Sequence, residues 1–172
     1  MTKLKIKKIT IDNWLMPDIE SMQIKMTNRI TGKTKALSDK ERINSISKII
    51  LSESVPSQVY NLFEVAKGTL IYAYFYYPLY SLAAEQLFRV AETAVFYKCR
   101  ELNAPKRLKI YLKQIEYLAS NGQLNKTEKW RWDALRRLRN IGSHPEDQNL
   151  IVPNLSFAFF TQISRDINKL FK

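Results

Sequence analysis

The chain has 172 residues, of which 45% are apolar and 26% charged, with only 4 glycines and 6 prolines. That composition suits one globular, helix-favouring domain with a sizeable core, and it excludes a disordered or collagen-like chain. The single cysteine, Cys99, excludes an intrachain disulfide framework, and the formal charge of +12 calls for a polyanionic partner such as RNA, DNA or an acidic membrane surface.

Residues 1–35 read as a basic N-terminal extension. Leu4, Ile6, Ile9 and Ile11 sit among lysines with β-branched neighbours, a pattern for one or two short strands; the alternation slips between Ile6 and Ile9, as at a bulge or in a plain basic arm, and Thr31-Gly32-Lys33-Thr34 reads as a turn or linker. Gly32-Lys33-Thr34 is not a phosphate-binding loop, because the required earlier glycine is replaced by Thr27. The N-terminus has lysines but no continuous apolar segment or small-residue cleavage site, so a cytoplasmic address is expected.

Residues 36–172 read as an all-α domain of about five to six helices. Ser38-Asp39-Lys40-Glu41 has capping-box spacing ahead of Ile43, Ile46, Ile49 and Ile50, which predicts a helix ending near Ser52. A second helix is expected from Ser57 towards Tyr77, burying Val59, Leu62, Phe63, Ala66 and Leu70. Pro78 sets the boundary, since proline removes an amide donor and clashes with the preceding turn. A third should run from Leu79 to Leu102, with Leu82, Leu87, Val90, Ala91, Ala94 and Val95 on its apolar face. From Lys67 to Tyr97 the only charged residues are Lys67, Glu85, Arg89 and Glu92, as befits a hairpin at the centre of a bundle. The apolar run from Thr69 to Ala84 is too short and too interrupted to span a membrane, and its aromatic cluster Tyr72, Tyr74, Phe75, Tyr76, Tyr77 and Tyr80 reads as packing.

A fourth helix is predicted from Lys106 to Ala119, stopped by Ser120-Asn121-Gly122. A fifth begins where Asn125 precedes Glu128 at capping distance, with Trp130, Ala134, Leu135, Leu138 and Ile141 along one side. It is the most basic of the set, carrying Lys126, Lys129, Arg131, Arg136, Arg137 and Arg139 against Glu128 and Asp133. If the basic stretches 98–113 and 126–139 lie on antiparallel neighbours, they make one continuous positive surface. After Pro153, Asn154 or Ser156 should cap a last helix bearing Phe157, Phe160, Ile163, Ile167, Leu170 and Phe171.

The fifth helix ends at Leu138-Arg139-Asn140-Ile141-Gly142-Ser143-His144-Pro145-Glu146, which holds the chain's only histidine. Arg139 is a permanent cation and His144 a group that titrates near neutrality, a complement suited to phosphate chemistry. In a structural reading of the same residues, Arg139 complements the helix dipole, Gly142 supplies the left-handed residue after the helix and His144-Pro145 closes the turn. One histidine and one cysteine do not make a conventional structural zinc site without several carboxylates around them, so neither a metal nor a cofactor is expected, and no glycine-flanked serine elbow is present to hold a serine nucleophile.

The hairpin segment 82–92, Leu-Ala-Ala-Glu-Gln-Leu-Phe-Arg-Val-Ala-Glu, followed by a basic helix ending in Arg139, Asn140, three further residues and His144, resembles the HEPN superfamily, the higher eukaryote and prokaryote nucleotide-binding domains. The resemblance covers about residues 56–172. It implies a helical bundle that forms a homodimer, bringing two such motifs together to cleave RNA without a metal ion. In that reading the ribose 2′-hydroxyl attacks the adjacent phosphorus, His144 moves the proton, Arg139 stabilises the phosphate and Asn140 orients the histidine or contacts the phosphate. Arg136, Arg137, Lys129 and Arg131 would contact the RNA backbone, and Glu92 would be a candidate partner for Arg139 across the hairpin. A bacterial defence or toxin nuclease with a neutralising partner is the leading expectation. The alternatives are a non-catalytic HEPN-like module binding RNA, nucleotide or a protein, and a protein that uses its basic face on membranes or in assembly.

Overall fold

The computed structural model describes residues 6–27, 31, 32, 34–142 and 151–172. Among them lie seven helices and one short antiparallel hairpin: α1 (Ile19–Met22), β1 (Lys25–Thr27), β2 (Thr34–Ala36), α2 (Asp39–Ser47), α3 (Ser57–Tyr72), α4 (Leu79–Glu101), α5 (Tyr111–Ser120), α6 (Lys126–Gly142) and α7 (Pro153–Leu170). The protein is therefore an all-α bundle with a minor strand pair.

The bundle is built around α4, which packs against α3, α5, α6 and α7. Its sequence explains why it can touch four neighbours. Ala83, Ala84, Leu87, Val90, Ala91, Ala94 and Val95 are all fully buried, and the four alanines let other helices approach closely on more than one side. Aromatic contacts tie the layers together: Phe63 of α3 meets Phe160 of α7 at 6.1 Å between ring centroids, and Phe88 of α4 meets Phe159 at 5.4 Å. Truncating a side chain such as Leu87 to alanine in this core would cost about 2–5 kcal/mol. Among the described residues, no helix is long and apolar enough to cross a membrane.

The N-terminal extension closes one end of the bundle by satisfying the turn between α3 and α4. Asp18 caps α1 and also accepts the Tyr77 amide at 2.9 Å, while its own amide donates to the Tyr74 carbonyl. Ser21 Oγ donates to the Ala73 carbonyl, and Lys7 Nζ donates to the Phe75 carbonyl at 3.0 Å. Arg42 of α2, only 5% exposed, donates to Tyr80 Oη and the Ser21 carbonyl and lies 4.4 Å from the centre of the Tyr74 ring. The Asp18 amide, Ser21 Oγ and Lys7 Nζ take the Tyr74, Ala73 and Phe75 carbonyls that follow α3, which stops at Tyr72 and does not reach Tyr77.

Other boundaries shift for local reasons. The strands lie at 25–27 and 34–36, on either side of the Gly32 turn, and not around Ile6–Ile11. Lys25 pairs with Ala36 and Thr27 with Thr34, while Gly32 takes φ +66. The capping box of Ser38 and Glu41 forms as its spacing implies, but α2 ends at Ser47; Ile46 and Ile49 reach the core while Ile43 and Ile50 face solvent. Leu82, expected inside, is exposed on the outer side of α4. α5 starts at Tyr111 and not Lys106, because residues 105–110 close on themselves: the Leu108 amide binds the Pro105 carbonyl, and Gln114 Nε2 donates to the Leu108 carbonyl. Gly122 at φ +72 then ends α5. α7 begins at Pro153 itself, and the Ser156 hydroxyl donates to the Tyr80 carbonyl in place of capping.

Candidate functional site

The candidate site begins with the way α6 is clamped in place. Asn125 Oδ1 accepts the Glu128 amide at 3.0 Å and Glu128 Oε2 accepts the Asn125 amide at 2.8 Å, a reciprocal cap that starts the helix. The Lys169 ammonium on α7 pairs with Glu128 and, with the Asn125 amide, holds its carboxyl below the ordinary glutamate range despite burial. Trp132, 1% exposed, and Leu135 turn into the core. Arg131 forks onto Asp166 of α7, with Nε to Oδ2 at 3.0 Å and an Nη to Oδ1 at 2.7 Å. Arg131 is thus a strut between helices, set apart from the outer surface that the other basic residues share.

At the far end of α6, Arg139 donates to Glu92 Oε2 of α4 at 2.8 Å through one Nη and to Asn140 Oδ1 at 3.2 Å through the other. The Arg139 side chain is 41% exposed, so the guanidinium is oriented by a carboxylate yet reachable from solvent. α6 runs to Gly142. His144 lies outside the described residues. The chain is described again from Ile151, whose amide donates to Ser81 Oγ of α4 at 2.7 Å. The segment carrying the histidine is therefore bounded on both sides by attachments to the central helix.

Tyr111 adds a residue that periodicity alone reads as ordinary core. Its hydroxyl is buried without a hydrogen-bond partner among the described residues. Burial pushes the phenol far above its ordinary pKa; the Glu92 charge adds to the rise, while Arg139 and Arg136 oppose it. Cys99 Sγ meets the Gln114 carbonyl and Tyr117 Oη donates to the Leu102 carbonyl, contacts that hold α5 against α4. A Tyr at the helix start was the only signal in the sequence.

Arg136 and Arg137 gather on Asp133. Arg136 Nε reaches Oδ1 at 2.7 Å and Arg137 Nε reaches Oδ2 at 2.9 Å. Burial raises the Asp133 carboxyl, and the two arginine hydrogen bonds more than reverse this, leaving it below the usual aspartate value. Two guanidinium groups share one carboxylate, so the cluster keeps a net positive charge. Lys129 is exposed on the same helix. The first basic stretch does not extend this surface as one helix face: Lys98 is buried against Glu101 and Phe171, and residues 106–109 lie in the turn before α5.

Cys99 is buried and its thiol is pushed up to about 11, so it is a thiol at neutral pH and not a nucleophile. Among the described residues, no three His, Cys, Asp or Glu side chains gather in a way that could hold a metal ion. No family model, curated protein or solved structure matches the chain.

Proposed function

We propose that the protein is a metal-independent endoribonuclease of the HEPN type, acting in bacterial defence or as a toxin in the cytoplasm and held in check by a neutralising partner. The observation that carries this reading is the ion pair between Arg139 and Glu92. It fixes the arginine of the Arg139-Asn140-x3-His144 motif on the central helix, with Asn140 bonded to it, at the point where α6 gives way to the histidine.

The chemistry follows from these groups. The 2′-hydroxyl of one nucleotide attacks its own 3′-phosphorus, forming a 2′,3′-cyclic phosphate and expelling the 5′-oxygen of the next nucleotide. His144, with an ordinary pKa of about 6.5, serves proton transfer near neutrality. Arg139 donates to the phosphate oxygens as negative charge builds, and Glu92 keeps its guanidinium plane turned to that task. Cyclisation needs a base at the 2′-oxygen and an acid at the leaving oxygen, whereas one chain has a single histidine. A twofold homodimer supplies the second His144 and Arg139.

The test is product chemistry in the presence of a chelator. Cleaved RNA is expected to carry 2′,3′-cyclic phosphate and 5′-hydroxyl ends, and a single 2′-deoxy substitution at the cut position should block cleavage there. Binding without any cleavage would point instead to a non-catalytic module that uses Arg139 as an anion site.

A further inference from the structure

The charges of α6 are not balanced evenly around its axis. Arg131 is neutralised by Asp166, Arg139 by Glu92 and Glu128 by Lys169, and these three pairs hold α6 against its neighbours. Lys126 and Lys129 have no such counter-charge at ion-pair distance among the described residues, and Arg136 and Arg137 share Asp133. The surplus therefore lies on the outward side. At about 100° per residue, Lys126, Arg137, Trp130, Ala134 and Ile141 fall in one sector, opposite the buried Trp132, Leu135 and Glu128.

Trp130 stands in the middle of that sector and is 71% exposed, against 1% for Trp132 two positions later. An indole left in water contributes little to folding. With Lys126 and Arg137 on one side of it and Ala134 and Ile141 on the other, it offers a flat face on which a base can stack. Base stacking on aromatics combined with a basic track is the recurrent way of holding single strands, whereas a duplex keeps its base faces internal.

We propose that the outer face of α6 is a binding strip for single-stranded RNA, with a base stacked on Trp130 and the phosphates tracked by Lys126, Lys129 and the guanidinium pair on Asp133. This rests on RNA being the substrate of the Arg139 site and identifies the form in which it arrives. Trp130 and Arg139 are nine residues apart, about 14 Å along the helix axis and on opposite sides of it, so a strand that reaches both crosses over α6. The surplus positive charge favours RNA over a second copy of this chain, since two such faces would set like charges against each other.

The test uses a labelled single-stranded oligonucleotide with 2′-O-methyl riboses, which lacks the attacking hydroxyl, so binding is measured apart from cleavage. Trp130→Ala is expected to weaken binding about 5- to 100-fold, with Trp130→Phe retaining most of the affinity. Each of Lys126→Ala and Lys129→Ala should lower the slope of log affinity against log salt by about 0.7. A blunt RNA duplex should compete poorly. The proposal is overturned if Trp130→Ala binds like the wild type or if duplex competes equally. It is also overturned if the substitution changes only the sedimentation of the protein, which would make the strip a contact between copies, or only its binding to anionic vesicles. A protein that binds through Trp130 yet never cleaves would retain the strip and remove the nuclease reading.

Discussion

Arg42 and Arg139 both link elements of the bundle, and the contrast between them separates architecture from chemistry. Arg42 is buried with no carboxylate at ion-pair distance among the described residues, its charge spent on the Ser21 carbonyl, the Tyr80 hydroxyl and the Tyr74 ring. Arg139 is held by a carboxylate and remains open to solvent at the end of α6. The first arrangement consumes the cation in closing the fold; the second fixes it by an ion pair and leaves part of its side chain in solvent. The same distinction divides α6, whose inner charges are paired to α4 and α7 while its outer charges are in surplus.

Exchanging the expected consequences of the two arginines would break this comparison. Arg139→Ala should lower RNA cleavage about 100- to 1,000-fold, the range for losing one donor to a developing oxyanion, with little change in the urea unfolding midpoint. Arg42→Met should destabilise the fold by about 2–4 kcal/mol, because Tyr80 Oη and the Ser21 carbonyl lose a charged donor in a buried setting. Chemical denaturation measures that loss directly, and cleavage by the molecules still folded should be unchanged. A smaller effect belongs to the start of α2. Lys35 and Ser38 pull the Glu41 carboxyl down to about 2. Its folded value lies below its unfolded one, so its support for α2 is complete above the ordinary carboxyl range and is lost as pH falls from about 4.5 towards 2. NMR titration of the Glu41 side chain should show it still ionised at pH 3, and Ser38→Ala should raise its midpoint.

Much of the fold was legible because it is written in local chemistry. Pro78 marks the start of α4, Gly122 the end of α5, and the two capping boxes at Ser38 and Asn125 open the helices their spacing implies. What escaped was decided by partners distant in sequence. In α6, periodicity groups Trp130 with Leu138 and Ile141, and that stripe exists, but it faces solvent. The inward face is polar by sequence, with Glu128, Arg131 and Arg139, and becomes buriable only because Lys169, Asp166 and Glu92 arrive from other helices. The pairing of Arg139 with Glu92 was open to sequence reasoning, since both belong to the quoted motifs. The Tyr111 hydroxyl, buried without a hydrogen-bond partner among the described residues, was not, because that is a property of the assembled core.

The central claim is that His144 and Arg139 form one catalytic unit. Its most direct measurement is the single-turnover cleavage rate of labelled RNA with chelator present, comparing wild type with His144→Ala, after circular dichroism has shown equal helix content. The account predicts a fall of about 100- to 10,000-fold, the usual worth of a positioned proton-transfer group. Equal rates for the two proteins would contradict it.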